Sequence, residues 1–309
     1  MRPKKGKALK GQPMILRDKP SPLDLAFALK GSIVPAVVRP VAVVAVAATL
    51  LTGLGLRFEV LPVVDPVAVT VFGLALSLFL GFRNNAAYER WWEARKLWGG
   101  LLADLRMLAR EAELFIADPV LRAAVLRDAL AFAHLHRARL REIAADPEAL
   151  RHAPDLAGTP NPPCAALDRL TARLAAAHRD DGLDGFGARA LSQRLAAITL
   201  AQAGNERIAG TPLPFVYSLL IYRTIYIYCL LLPVALFAAA GWLTPVIVAI
   251  VAYVFLGLAE VSEEMSHPFG TAPNALPLDA ICRAMEISLA PHLGEAAPEP
   301  LAPVEYLLS

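Results

Sequence analysis

Between Ile208 and Ala259 one charged residue, Arg223, interrupts an otherwise uncharged run, and residues 40–56 and 66–82 carry no charge at all. Nothing else in the chain constrains the fold as strongly. A helix that crosses the hydrocarbon core of a bilayer needs about 20 mostly apolar residues. These runs supply four such segments, from about Ile33 to Leu56, from Pro66 to Phe82, from Pro214 to Ala238 and from Leu243 to Ala259. They are continuous rather than alternating, which argues against a membrane β-barrel. Composition agrees: 56% of the 309 residues are apolar and 19% are charged, against about 45–50% and about 25% in soluble domains. A secreted domain, an ordinary cytosolic enzyme and a disordered tail are all excluded.

The charges collect elsewhere. Residues 83–213 hold 18 of the 30 Lys/Arg and 16 of the 28 Asp/Glu, so this segment faces water. Residues 1–39 hold nine Lys/Arg, whereas the connection Arg57–Asp65 has one arginine against two acids. Positive charge favours the cytoplasmic side, so both termini and the long charged segment are expected there. The expected layout is a cytoplasmic segment 1–32, membrane helices one and two in 33–82, a helical cytoplasmic domain in 83–213, helices three and four in 214–260, and a cytoplasmic segment 261–309. Within the charged domain, residues 84–145 and 164–209 show apolar positions at helical spacing and 146–163 reads as a proline-rich loop; beyond the fourth span, 265–309, with seven prolines, reads as extended. No signal-peptide cleavage pattern follows the basic N-terminus.

Candidates for chemistry are few. Cys164, Cys229 and Cys282 are scattered and odd in number, which argues against a disulfide framework or a zinc site. His134 and His136 lie two apart and point away from each other on a helix, so they read as surface histidines; His152 and His178 lie elsewhere. No metal, cofactor or catalytic constellation is expected, and a net charge of +2 suggests no nucleic-acid partner. Glu260, Glu263 and Glu264 form a carboxylate cluster at a helix end, either solvated or part of a charge ring. Arg223 either snorkels to the interface beside Tyr222, Tyr226 and Tyr228 or meets a carboxylate or an aqueous cavity. In the second span Leu74, Leu78 and Phe82 stand four apart and form one stripe. Spacing alone reads it as helix packing.

The residues that follow this stripe resemble a known family. Gly81-Phe82-Arg83-Asn84-Asn85, Arg90-Trp91-Trp92-Glu93-Ala94-Arg95 and Leu97-Trp98-Gly99 look like the signature of bacterial bestrophin homologues. Glu206-Arg207-Ile208, Thr211-Pro212-Leu213-Pro214-Phe215, His267-Pro268-Phe269-Gly270 and Leu276-Pro277-Leu278-Asp279 agree in order, so the resemblance covers roughly residues 20–290. It implies an all-α integral membrane protein with four transmembrane helices per subunit and a helical cytoplasmic domain, assembled as a homopentamer around a central pore that passes small monovalent ions of undecided sign. Counted from Arg90-Trp91-Trp92, the family's apolar neck falls on Leu74, Leu78 and Phe82, and the stripe then faces the axis. Counted from Pro214-Phe215, a second, cytoplasmic constriction falls near Phe186. Trp91, Trp92 and Trp98 are expected between helices or subunits. Calcium-gated animal members follow their Pro-Phe-Gly with an acidic run, whereas Gly270 to Ala275 here contains no acid. No calcium activation is expected. A secondary transporter, or an enzyme or scaffold on a membrane anchor, is the alternative. A transporter usually carries internal repeats, and none is visible.

Overall fold

The computed structural model describes residues 14–15, 28, 31–58, 62, 64–144, 146–156, 158–303 and 307–308. The described residues form nine α-helices: α1 (Val34–Phe58), α2 (Pro66–Phe115), α3 (Pro119–Leu140), α4 (Pro147–His152), α5 (Pro162–Arg179), α6 (Gly185–Gly210), α7 (Phe215–Ala240), α8 (Thr244–Ser266) and α9 (Leu278–Leu293). Two dipeptides, Met14–Ile15 and Leu307–Leu308, pair as short antiparallel strands β1 and β2. The helix starts follow local rules. Asp118, Asp146 and Asp184 each accept hydrogen bonds from the first free N–H groups of α3, α4 and α6. Prolines stand in the first turn of α3, α4 and α5, where no backbone donor is lost.

The chain divides into two compact units. The first comprises residues 18–91 and 212–267 and contains α1, the start of α2, α7 and α8. Three helical stretches, Val34–Phe58, Pro66–Phe115 and Phe215–Ser266, are long and apolar enough to cross a membrane. The third turns back on itself at Gly241–Leu243. Gly241 has φ +54° and ψ −134°, a conformation that costs any side-chain-bearing residue dearly. Contacts of Ser218 with Glu263, Tyr222 with Glu260 and Tyr228 with Phe255 make α7 and α8 an antiparallel pair. Their core is joined by Val37, Val44 and Ala48 of α1 and by Val69, Leu76 and Leu80 of α2.

The second unit comprises residues 1–17, 92–211 and 268–309. Its centre is α3, which packs against α5 and α9 and is buried almost all round from Val125 to Leu140. Its interior charges are paired: Asp128 accepts from Arg169 and Arg173 at 2.7 Å each, and Arg137 meets Asp146 and Asp279. On the neighbouring helices, Arg194 of α6 reaches Asp104 at 2.6 Å and Glu111 at 2.9 Å.

Two expectations are corrected here. The C-terminal stretch is not wholly extended, because Leu278, Cys282, Met285 and Leu289 recur at helical spacing and are buried as the inner face of α9. Its prolines sit outside that helix or in its last turn, where a missing N–H costs least. The loop at 146–163 contains the six-residue helix α4, nucleated by the Asp146 cap and Pro147.

Candidate functional site

In the membrane-type unit, α2 has two unlike faces. Val69, Leu76, Leu80, Arg83 and Ala87 are buried, a spacing of three, four and seven that turns one side of the helix toward α7 and α8. On the other side Leu74, Leu78 and Phe82 are 65%, 58% and 60% exposed. With a rise of 1.5 Å per residue they stand about 6 Å apart along the helix. Among the described residues no side chain covers this stripe, and it contains no charge.

Just beyond it, Arg83 turns inward. Its guanidinium donates to the backbone carbonyl of Ala259 at 3.1 Å, to Ser218 Oγ at 2.9 Å, and to the Glu263 carboxylate. Glu260 accepts from Tyr222 Oη at 3.1 Å, and Ser262 Oγ reaches Asn84 Oδ1 at 3.3 Å. Two of the carboxylates at the end of α8, Glu263 and Glu260, are thus partners of α2 and α7 residues. The cation that finds a carboxylate is Arg83. Arg223 lies on the exposed face of α7 and makes no ion pair among the described residues. Sequence reading singled out Arg223 because it stands alone in an apolar run. The signal for Arg83 was its register with Leu76, Leu80 and Ala87.

In the charge-rich unit, Phe186 is 83% exposed, one residue into α6. Of Trp91, Trp92 and Trp98, Trp98 is fully buried against the His136 ring at a centroid distance of 5.5 Å, Trp91 is half-buried, and Trp92 is 46% exposed within the chain. The histidine reading is corrected. His134 and His136 are both buried, because α3 is enclosed on every side rather than presenting one face to water. His136 lies between Trp98 and Phe132, and its Nε2 accepts from Asn205 at 3.2 Å. Burial pushes its imidazole down to about 3. Burial likewise lowers His134. Burial resists ionisation of Glu286, but the imidazoles of His134 and His152 outweigh it and hold this carboxyl below its usual range. The Cys282 thiol, also enclosed, is pushed up to about 12 by burial. All three cysteines are free.

A nearly all-helical chain with this set of long apolar helices is an α-helical membrane protein. It belongs to the bestrophin family of bacteria and fungi, whose family model, the Bacterial/Fungal Bestrophin protein, matches residues 14–291. A voltage-dependent anion channel-forming protein of Mesorhizobium japonicum is 45% identical over 301 residues, covering 96% of this chain and 97% of the relative. The voltage-dependent anion channel-forming protein YneE of Escherichia coli K12 is 40% identical over 77% of this chain and 78% of its own. Among solved structures, a mutant of a bacterial Bestrophin homolog from Klebsiella pneumoniae superposes with a TM-score of 0.78 at 27% identity, covering 84% of this chain and 100% of that one. The functionally named relatives are channel-forming proteins rather than enzymes.

Proposed function

We propose that this protein is a homopentameric channel in the bacterial inner membrane that conducts small monovalent anions passively. The observation that carries this reading is the uncovered apolar stripe of α2, Leu74, Leu78 and Phe82, in a chain whose relatives are named for forming anion channels. Five α2 helices around an axis turn the three residues into stacked apolar rings. Such rings offer an ion no charge and resist wetting, so they form the barrier of the pore. They do not choose the sign of the ion; the anion assignment rests on the relatives' names. Phe186 is the second narrowing, on the cytoplasmic side. Both termini and the unit rich in arginine face the cytoplasm, as the basic N-terminal segment supports.

Calcium does not open this channel. A calcium site takes six to eight oxygens, usually with several carboxylates. Residues 270–275 supply no acidic side chain, and Glu263 is engaged by Arg83.

One assay in liposomes tests the reading. Reversal potentials under asymmetric potassium chloride should follow the chloride gradient, and currents should be equal in chelator and in micromolar calcium. Replacing Leu74, Leu78 and Phe82 together with alanine removes bulk without adding charge and should raise single-channel current. Unchanged or smaller current from an intact alanine pentamer would show that the stripe is not the barrier.

A further inference from the structure

Three side chains distant in sequence meet inside the charge-rich unit. His134 is on α3, His152 ends α4, and Glu286 is on α9. His134 Nε2 lies 2.8 Å and His152 Nε2 lies 3.3 Å from the same oxygen, Glu286 Oε1. The two rings stack at a centroid distance of 4.4 Å and 14° between planes. One ligand atom from each residue lies within 4.8 Å of the other two.

The His134 side chain is 3% exposed, and neither of its ring nitrogens has a well-aligned hydrogen-bond partner. A buried polar atom left unpaired costs about 1–3 kcal/mol, so this nitrogen calls for an explanation. Glu286 Oε1 is near enough to accept from Nε2 but lies off the line of the ring N–H. Two ligands of one ion stand in this side-by-side relation, whereas His152 Nε2 is aligned on the same oxygen as a hydrogen bond that an incoming ion would replace. For zinc bonds of about 2.0–2.1 Å in a tetrahedral arrangement, neighbouring ligand atoms are about 3.3 Å apart. The 3.3 Å separation of His152 Nε2 from Glu286 Oε1 equals that spacing and the 2.8 Å one of His134 is shorter; because the rings stack nearly parallel, one imidazole turns about its Cβ–Cγ bond to bring its in-plane lone pair onto the ion.

We infer that His134, His152 and Glu286 bind one divalent transition-metal ion of the zinc class. Two imidazoles and one carboxylate oxygen are the donor set such ions favour. Arg283 Nη1 holds Glu286 Oε2 at 3.1 Å and so orients the carboxylate while leaving Oε1 for the metal. A cavity of about 330 Å³ reaches His134 and Glu286, with room for water as the fourth ligand. The arginines that line it do not repel the ion unopposed, since Arg137 is paired with Asp146 and Asp279, and Arg141 with Asp279. The ion ties α3, α4 and α9 together, so it acts as a staple of this unit and makes its stability depend on the metal.

The test needs no ion flux. Full-length protein in mild detergent is stripped with chelator and titrated with zinc chloride. Metal analysis after gel filtration should give one tightly held zinc per chain, with a higher unfolding temperature. Cobalt(II) in its place should show the intense visible bands of a tetrahedral site. His152→Ala and Glu286→Gln should abolish both, while His292→Ala, which breaks a His–Glu contact lacking a third ligand, should change neither. Should Glu286→Gln fail to fold, His152→Ala decides, because that side chain is 21% exposed at a helix end. Wild-type protein that holds no zinc, or a His152→Ala protein that holds as much as wild type, would overturn the assignment.

Discussion

Arg83 and Arg223 carry the same charge on apolar helices and are treated oppositely by the fold. Arg223 is exposed on α7 and makes no ion pair among the described residues. The Arg83 side chain is 2% exposed and depends on what surrounds it, whereas its partner Glu263 is 40% exposed. The pair is therefore asymmetric. Removing the arginine leaves a carboxylate that solvent can reach, while removing the carboxylate strands a buried cation with only the Ala259 carbonyl and Ser218 for company. Stranding one member of a buried pair costs about 3–5 kcal/mol. Glu263→Ala should thus lower the thermal unfolding midpoint in detergent clearly more than Arg83→Met, which fills similar volume without charge. Equal midpoints for the two variants would show that the ion pair does not hold α2 against α8.

At the scale of helices, close approach between α2 and α7 is what a small residue provides. A methyl group at Gly73 would lie 2.5 Å from Tyr228 Oη. That ring has little freedom to yield, because Phe72 and Phe255 hold it edge-on at 5.8 and 5.6 Å. Overpacking of this kind costs about 1–3 kcal/mol. At Gly81, two turns further along α2, an added methyl meets nothing within 4 Å, and the gain in helix propensity is roughly 0.5–1 kcal/mol. Gly73→Ala should lower the unfolding midpoint and Gly81→Ala should hold or raise it; the opposite order would refute this packing of α2 on α7. The apolar helices were legible in the sequence because a bilayer demands long uninterrupted runs, and nothing else writes them. The helix α9 was hidden by prolines that lie at its borders. His134 and His136 were misread because a residue two positions along faces away from its neighbour, which implies exposure only when one face of the helix is open. In α3 none is. The meeting of His134, His152 and Glu286 could not be read at all, since no spacing along the chain encodes the packing of three separate helices.

For the whole molecule, the deciding question is what covers the outer face of α2. The four apolar helices α1, α2, α7 and α8 satisfy one another through a shared core, yet Leu74, Leu78 and Phe82 remain outside it. Apolar side chains of this kind are at ease against lipid, so exposure alone does not separate a lipid-facing helix from a pore-lining one. The charge-rich unit adds a second observation: Phe186 is 83% and Trp92 46% exposed there, and large exposed aromatics on a charged surface are typical of faces that meet another subunit. If both sets are covered by copies of the same chain, the protein in mild detergent should have a mass of about five times its 33.1 kDa after correction for bound detergent. Light scattering coupled to gel filtration measures this directly. The alanine-substituted neck should keep the same mass, because side chains that line an axis contribute little to holding subunits together, whereas Trp92→Ala should shift the population toward smaller species. A monomeric or dimeric wild-type mass would leave the stripe facing lipid and remove the basis for a pore along α2.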